Sequence, residues 1–311
     1  MDGILALYKE RGMTSNDAVF KCRKLFKTRR VGHSGTLDPN VDGVLPICVG
    51  KATKVVNYLM DSGKVYMGQI ILGFATETED LDGAVVEQQR LVRPFSDQEI
   101  DQAMQALCGD LIQIPPMYSA IKVNGRRLYD YARKGEEVVR PKRQIYVDYF
   151  KQTKPSSFDE NRGQQTIFFE VGCGKGTYVR TLAVDLGKKL GVPAVMSDLT
   201  RLKSGGFMIG QAVSLAQLES LSEDQLAQAL APIDHALEAY AHHELSEKQW
   251  TFVKNGGFLA PSYVNGGQVV PKLVLMYQGK ARAVYKYNEP KARYQPEQMI
   301  DLSWGEHRGN Y

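Results

Sequence analysis

Apolar residues recur along this chain with two different periods, and the alternation between them predicts a mixed α+β protein. Residues 4–8 form an unbroken apolar run that ends before Gly12, the pattern of a buried strand. A second run at 43–50 predicts another buried strand, with Pro46 placing it near an edge or a bulge. Residues 65–72 alternate Tyr66, Gly68 and Ile70 with Val65, Met67 and Gln69, a period of two. Helical spacing takes over after Thr14 and Ser15, a capping pair, where Ala18, Val19, Cys22, Leu25 and Phe26 fall on one face. The capping box from Ser96 to Glu99 opens another helix, with Ile100, Ala103, Met104 and Leu107 inward. Strands are expected again at 144–150 and 166–171. A helix capped by Thr177 follows, running to Gly191 with Val179, Leu182, Ala183, Leu186 and Leu190 inward.

Two segments break the pattern. Residues 113–143 mix prolines, tyrosines and bases around a short helix near 127–134, the composition of a solvated excursion from the core. Beyond Pro232 short strand patterns replace the longer elements, so a domain break is expected between Asp234 and Tyr240. Residues 272–277 and 281–287, flanking Gln278-Gly279-Lys280, read as a hairpin. Residues 305–311 read as a frayed end.

The chain has 311 residues, 43% hydrophobic and 24% charged, the balance of an ordinary globular protein. A net charge of +4 does not by itself indicate a polyanionic partner, but its distribution is uneven. Residues 1–60 hold ten Lys and Arg against five Asp and Glu, and residues 122–143 hold eight against three. Four widely spaced cysteines, Cys22, Cys48, Cys108 and Cys173, have no ligand spacing and read as reduced and structural. The N-terminal apolar run is too short for a signal peptide, and no stretch reaches the length of a membrane span. A cytoplasmic location is expected.

The most informative segment runs from Val31 to Pro39. Asp38 precedes a proline and is therefore pushed out of helical geometry, while Gly32 and Gly35 allow a sharp turn or a close approach to a ligand. Lys21, Arg23, Lys24, Lys27, Arg29 and Arg30 lie just upstream, so one carboxylate stands beside a surface able to hold a polyanion. Arg180 falls near the third position of the helix capped by Thr177, where the helix dipole disfavours a cation. A carboxylate partner would compensate, and Asp38 is the candidate; the alternative is a surface Arg reaching to water. Tyr66, mid-strand, reads as core filling whose hydroxyl needs a partner, and His33, between glycines, as a loop residue able to stack on an exposed base. Neither 43–52 nor 172–177 completes a nucleotide-binding phosphate loop, and His242-His243 lacks ligand geometry.

Together these segments resemble the bacterial tRNA pseudouridine synthase B (TruB) family. The resemblance rests on residues 32–39 and 43–46, Lys64-Val65-Tyr66, residues 76–80, residues 117–122, residues 175–180 and the pair Arg201-Leu202, in that order, and covers residues 3–210 well. It implies a pseudouridine-synthase-like mixed β-sheet flanked by helices in a catalytic domain at 1–237, and a small, mainly-β, PUA-like RNA-binding domain at 238–311. It also implies that 113–143 is a thumb closing on the T-arm of tRNA. The reaction implied is isomerisation of uridine 55 to pseudouridine, with the base flipped out of the stack. Asp38, Tyr66 and Arg180 are then the expected catalytic residues. Lys9, His33, Gly35, Asp80, Lys122, Tyr178 and Leu202 are expected to bind substrate. No cofactor, metal or protein partner is expected, because the isomerisation is neither redox chemistry nor hydrolysis. Two departures are visible: Lys9-Glu10-Arg11-Gly12 stands where the family usually has Lys-Pro-x-Gly, and Asn40-Val41-Asp42 replaces a small apolar stretch.

Two other classes compete with this reading. A catalytically silent tRNA-binding or folding protein would carry the same bases but has no reason to gather Asp38, Tyr66 and Arg180. A carboxylate-dependent nucleoside glycosidase would need a second acid across the bond, for which Asp42 and Asp80 are the nearby candidates.

Overall fold

The computed structural model describes residues 1–301, so the expected frayed end at 305–311 lies outside the described residues. The chain opens with β1 (Gly3–Lys9), α1 (Ser15–Leu25), β2 (Val31–His33) and β3 (Asp42–Val49). Thr14 caps α1 in a reciprocal box with Asp17. After α2 (Val56–Asp61) come β4 (Lys64–Leu72), the small hairpin β5 (Phe74–Thr76) and β6 (Val85–Gln88), and α3 (Asp97–Gln105), capped by Ser96 and Glu99 as expected.

Strand β7 (Gly109–Gln113) leads into the basic excursion, which holds β8 (Lys122–Val123), β9 (Arg126–Arg127) and α4 (Leu128–Ala132). The chain returns through β10 (Arg143–Asp159), β11 (Gln164–Cys173), α5 (Val179–Leu190), β12 (Ala194–Ser204) and β13 (Phe207–Met208). Strand β10 is far longer than the apolar run at 144–150, because its polar outer half pairs with β11 in an exposed hairpin. Strand β12, without a clear period of its own, was missed by the pattern.

These strands build one nine-stranded sheet, ordered β1-β3-β12-β4-β11-β10-β7, with β2 on β3 and β13 on β12. Only β3 and β12 run parallel, so the sheet is mixed. Strand β1 is apolar from Ile4 to Leu7 because both its faces are covered. Leu5 and Leu7 join the core under α1, α3 and α5, whereas Ile4 and Ala6 join a second core on the opposite face. Pro46 sits neither at an edge nor in a bulge. It lies where β3 exchanges β12 for β2 as its neighbour, and its carbonyl accepts the Ser34 N–H at 3.0 Å.

Past α6 (Leu215–Glu219) and α7 (Glu223–Gln228), a second sheet forms from β14 (Ala241–Glu244), β15 (Lys272–Tyr277), β16 (Lys280–Asn288) and β17 (Arg293–Met299), in that order. The β15–β16 hairpin is the one expected from residues 272–287. Val274, Ala281 and Val284 pack into the second core against Ile4 and Val44, while Trp250 of α8 (Glu247–Val253) covers the other face. Among the described residues no helix is long and apolar enough to cross a membrane.

Candidate active site

The loop bearing Asp38 is tied down at three points, each by a buried polar side chain. The Ser15 hydroxyl accepts the Leu37 N–H at 2.8 Å and donates to the Leu37 carbonyl at 3.1 Å. Lys9 is fully buried, and its ammonium donates to the carbonyls of Met13 (2.8 Å), Glu10 (3.0 Å) and Pro39 (3.2 Å). Arg201, also fully buried, donates to the carbonyls of Val44 (2.7 Å), Gly35 (3.1 Å) and Thr36 (3.5 Å). Gly43 makes the Arg201 approach possible: with φ of +111°, it lies so close to β12 that a Cβ would stand 2.2 Å from the Arg201 carbonyl oxygen.

The carboxylate of Asp38 meets the Arg180 guanidinium at 3.1 Å, with the Asp38 side chain 43% exposed and that of Arg180 only 8%. Arg180 also pairs with Asp80 at 3.0 Å and donates to the carbonyls of Thr78 (3.0 Å) and Tyr118 (3.1 Å). The compensation expected for a cation in the first turn of a helix is therefore supplied twice over. The cap itself differs from expectation. Tyr178, not Thr177, is the N-cap of α5 and makes no side-chain capping bond; the Thr177 hydroxyl donates instead to the Gly174 carbonyl at 3.1 Å. Gln113 holds the Tyr178 backbone on both sides, accepting its N–H at 2.8 Å and donating to its carbonyl at 3.1 Å.

Asp38, Tyr66, Arg180, Tyr178, Lys64 and Arg201 line a pocket of about 500 Å³, together with Gly35 and with Arg127 and Tyr129 of the basic excursion. Tyr66 enters from β4, where it stands opposite Arg201 in register. Five of the expected contacts lie outside this wall. Lys9 reaches the site through the Pro39 carbonyl, and Asp80 through Arg180 and the Thr78 hydroxyl at 2.5 Å. His33, on β2, keeps a buried Nδ1 with no partner among the described residues. Lys122 is exposed on β8, and Leu202 lies in a bulge of β12 between Arg201 and Lys203. Pattern reading missed Lys64, Ser15 and Gln113. Of these only Lys64 had a usable signal, its place two residues before Tyr66 on an alternating strand.

Burial lifts Asp38 above the ordinary carboxylate range; Arg180 opposes this, while Asp80 and Asp82 reinforce it. Burial also raises the Tyr66 phenol against the pull of Arg201, so the phenol is neutral at physiological pH. The same desolvation, with the help of Arg201, lowers Lys9 and Lys64 to about 8 each, in Lys9 against the pull of Asp42 and Asp38. His33 is lowered by burial and by Arg201, which favours the neutral ring.

Comparison with known proteins places this geometry in a class. Residues 23–179 match the family model described as TruB family pseudouridylate synthase (N terminal domain), and residues 180–238 match that of the tRNA pseudouridylate synthase B C-terminal domain. A protein of Ligilactobacillus salivarius (strain UCC118) named tRNA pseudouridine synthase B is 64% identical, covering 97% of this chain and 100% of that protein. The protein of the same name from Levilactobacillus brevis is 57% identical over the same shares. A solved structure titled as a Cbf5-Nop10-Gar1 complex aligns with a TM-score of 0.68 at 26% identity, covering 97% of this chain and 84% of that one. The chain belongs to the TruB family of pseudouridylate synthases.

Proposed function

We propose that this protein isomerises uridine to pseudouridine in the T-loop of tRNA, at position 55, with Asp38 as the essential carboxylate. The observation that carries this reading is the Asp38–Arg180 pair at 3.1 Å, at the wall of a pocket that also holds Tyr66. The reaction breaks the N-glycosidic bond, turns the base and joins C5 to C1′, without net redox change. Asp38 acts on the sugar side, by attack on C1′ or by carrying the charge of an eliminated sugar. Arg180 aims it. Tyr66 stacks on the base and, as a neutral phenol, relays a proton.

A stacked base cannot reach the pocket, so the target nucleotide is flipped out, with His33 bracing the vacated space. Residues 113–143 act as the thumb, since Arg127 and Tyr129 already line the pocket. The catalytic domain is assigned to 1–237, and 238–311 to a PUA-like RNA-binding domain. A cytoplasmic site of action accords with a tRNA substrate.

The two acids that the glycosidase reading would draw on are both engaged. Asp42 is held by the hydroxyls of Thr200 (2.5 Å) and Tyr8 (2.9 Å), and Asp80 by Arg180 and Thr78. The deciding experiment is mass spectrometry of an unmodified tRNA transcript after incubation with the enzyme and carbodiimide labelling. Pseudouridine in the T-loop is expected. Released uracil would establish the glycosidase, and tight binding without modification the silent binder.

A further inference from the structure

Two buried cations in the pocket wall make no ion pair among the described residues; the Asp61 carboxylate only partly offsets the burial of Lys64. Lys64 donates its ammonium to the carbonyls of Met60 (3.2 Å) and Ser62 (3.4 Å), which leaves its third N–H uncommitted. Arg201 donates to three backbone carbonyls. Neither forms an ion pair among the described residues, whereas Arg180, in the same pocket, holds two carboxylates. Carbonyl dipoles solvate a buried cation without neutralising it, so Lys64 keeps its charge below the pH of about 8 to which burial lowers it, and Arg201 keeps its own. Nor does Cys173 supply a counter-charge, because burial pushes its thiol up to about 11.

Tyr66 adjoins both cations, two residues beyond Lys64 on the same face of β4 and opposite Arg201 across the ladder. The ring that stacks on the base therefore has positive charge on this side, while Asp38 supplies negative charge elsewhere in the pocket wall. That polarity matches heterolysis of the glycosidic bond. The electron pair of N1–C1′ leaves with the base, giving a uracil anion delocalised over its carbonyl oxygens. The sugar carbon is left electron-deficient beside the Asp38 carboxylate. When C5 later bonds to C1′, the base returns an electron pair, and one proton leaves C5 through the Tyr66 relay while another is taken up at N1, so the product is neutral.

We propose that Lys64, backed by the charge of Arg201, is a further catalytic residue that stabilises the uracil anion as it detaches. This rests on the isomerase reading above. Lys64 gains and loses no proton in the step; below about pH 8 it supplies a charge already in place where charge develops.

The test compares the enzyme with Lys64→Met on transcripts carrying uridine or 5-fluorouridine at the target position. The readout is single-turnover loss of the N-glycoside at saturating RNA. Lys64→Met is expected to lose roughly 10²-fold on uridine with RNA affinity unchanged. The loss is expected to shrink to less than about tenfold on 5-fluorouridine, whose electron-withdrawing fluorine makes the base a better anion and lessens its need for the charge. Lys64→Arg should restore part of the rate. Equal losses on both substrates would assign Lys64 a purely structural role and overturn the proposal. So would a change confined to affinity, or no loss at all. Should Lys64→Met not fold, Lys64→Gln retains a donor for the carbonyls and is held to the same criterion. Failure of the unaltered enzyme to form pseudouridine would instead refute the isomerase reading.

Discussion

Arg180 holds Asp38 and Asp80 together, at 3.1 Å and 3.0 Å, so the carboxylate open to the pocket is coupled through one guanidinium to a second, more buried carboxylate. Asp80 is fixed in turn by the Thr78 hydroxyl and the Asp82 N–H. The acidic turn after β5 therefore sets the direction of Arg180, and Arg180 sets that of Asp38.

Asp38→Asn removes the charge while preserving the shape of the loop, which Ser15, Lys9 and Arg201 hold independently. Turnover is expected to vanish with tRNA affinity nearly unchanged. Single-turnover assays paired with filter binding check this, and appreciable turnover would remove Asp38 from the chemistry.

The acid limb of the rate profile reports the same carboxylate. Asp38 works ionised, and its pKa is raised above the ordinary 3.8 by burial, with Arg180 pulling the other way. Activity should therefore fall as pH drops through a limb lying above 3.8. Arg180→Lys loses the planar fork and part of that pull, so the limb should move to higher pH and turnover should drop far more than binding. An unmoved limb, with reduced binding alone, would make Arg180 a phosphate contact.

Gln113→Ala deletes both bonds to the Tyr178 backbone at the start of α5. A stability loss of about 1–3 kcal/mol is expected from denaturant titration, because the half-buried Tyr178 N–H loses its partner and its carbonyl keeps only the Leu182 N–H. Turnover should fall too, since Arg180 lies two residues further on. A variant as stable and as active as the parent would show that water replaces the amide without consequence.

The basic segments govern affinity. Neutralising Lys24, Lys27 and Arg30 together should weaken tRNA binding and flatten its log–log salt dependence by about 0.7–0.9 for each phosphate no longer neutralised, with little change in saturated rate. Lys27 is paired with Glu223 in the free protein, so its share should be the smallest. Neutralising Arg126, Arg127 and Arg133 should also slow the reaction, because Arg127 lines the pocket. Salt slopes unaffected by either triple variant would reduce these charges to a solvated surface.

Thiol accessibility offers a check on the core. Burial pushes Cys22 and Cys48 up to about 12 and Cys173 to about 11, whereas Cys108 is half-exposed. Alkylation of the native protein near pH 8 should label Cys108 first, and all four cysteines should react only after denaturation. Early labelling of Cys22 would mean that α1 does not stay packed on the sheet.

What the amino-acid sequence determined by itself was local. Period and capping chemistry placed β1, α1, β3, β4, α3 and the β15–β16 hairpin, because each buries a face whose spacing is written in consecutive residues. The loop from Val31 to Pro39 was legible for the same reason: glycine and proline constrain the backbone wherever they stand. Strand β12 and the outer half of β10 escaped because their pairing partners, not their own side chains, make them strands. Residues far apart in sequence met only through tertiary structure. Sheet order brings Arg201 of β12 beside Tyr66 of β4 and under the Gly35 carbonyl. The turn at Asp80 carries a second carboxylate to Arg180. The helix position of Arg180 already asked for a carboxylate, but only folding decides that Lys9, Lys64 and Arg201 become buried charges. Desolvation and neighbouring charge depend on what surrounds a side chain in three dimensions, and no spacing rule contains that information.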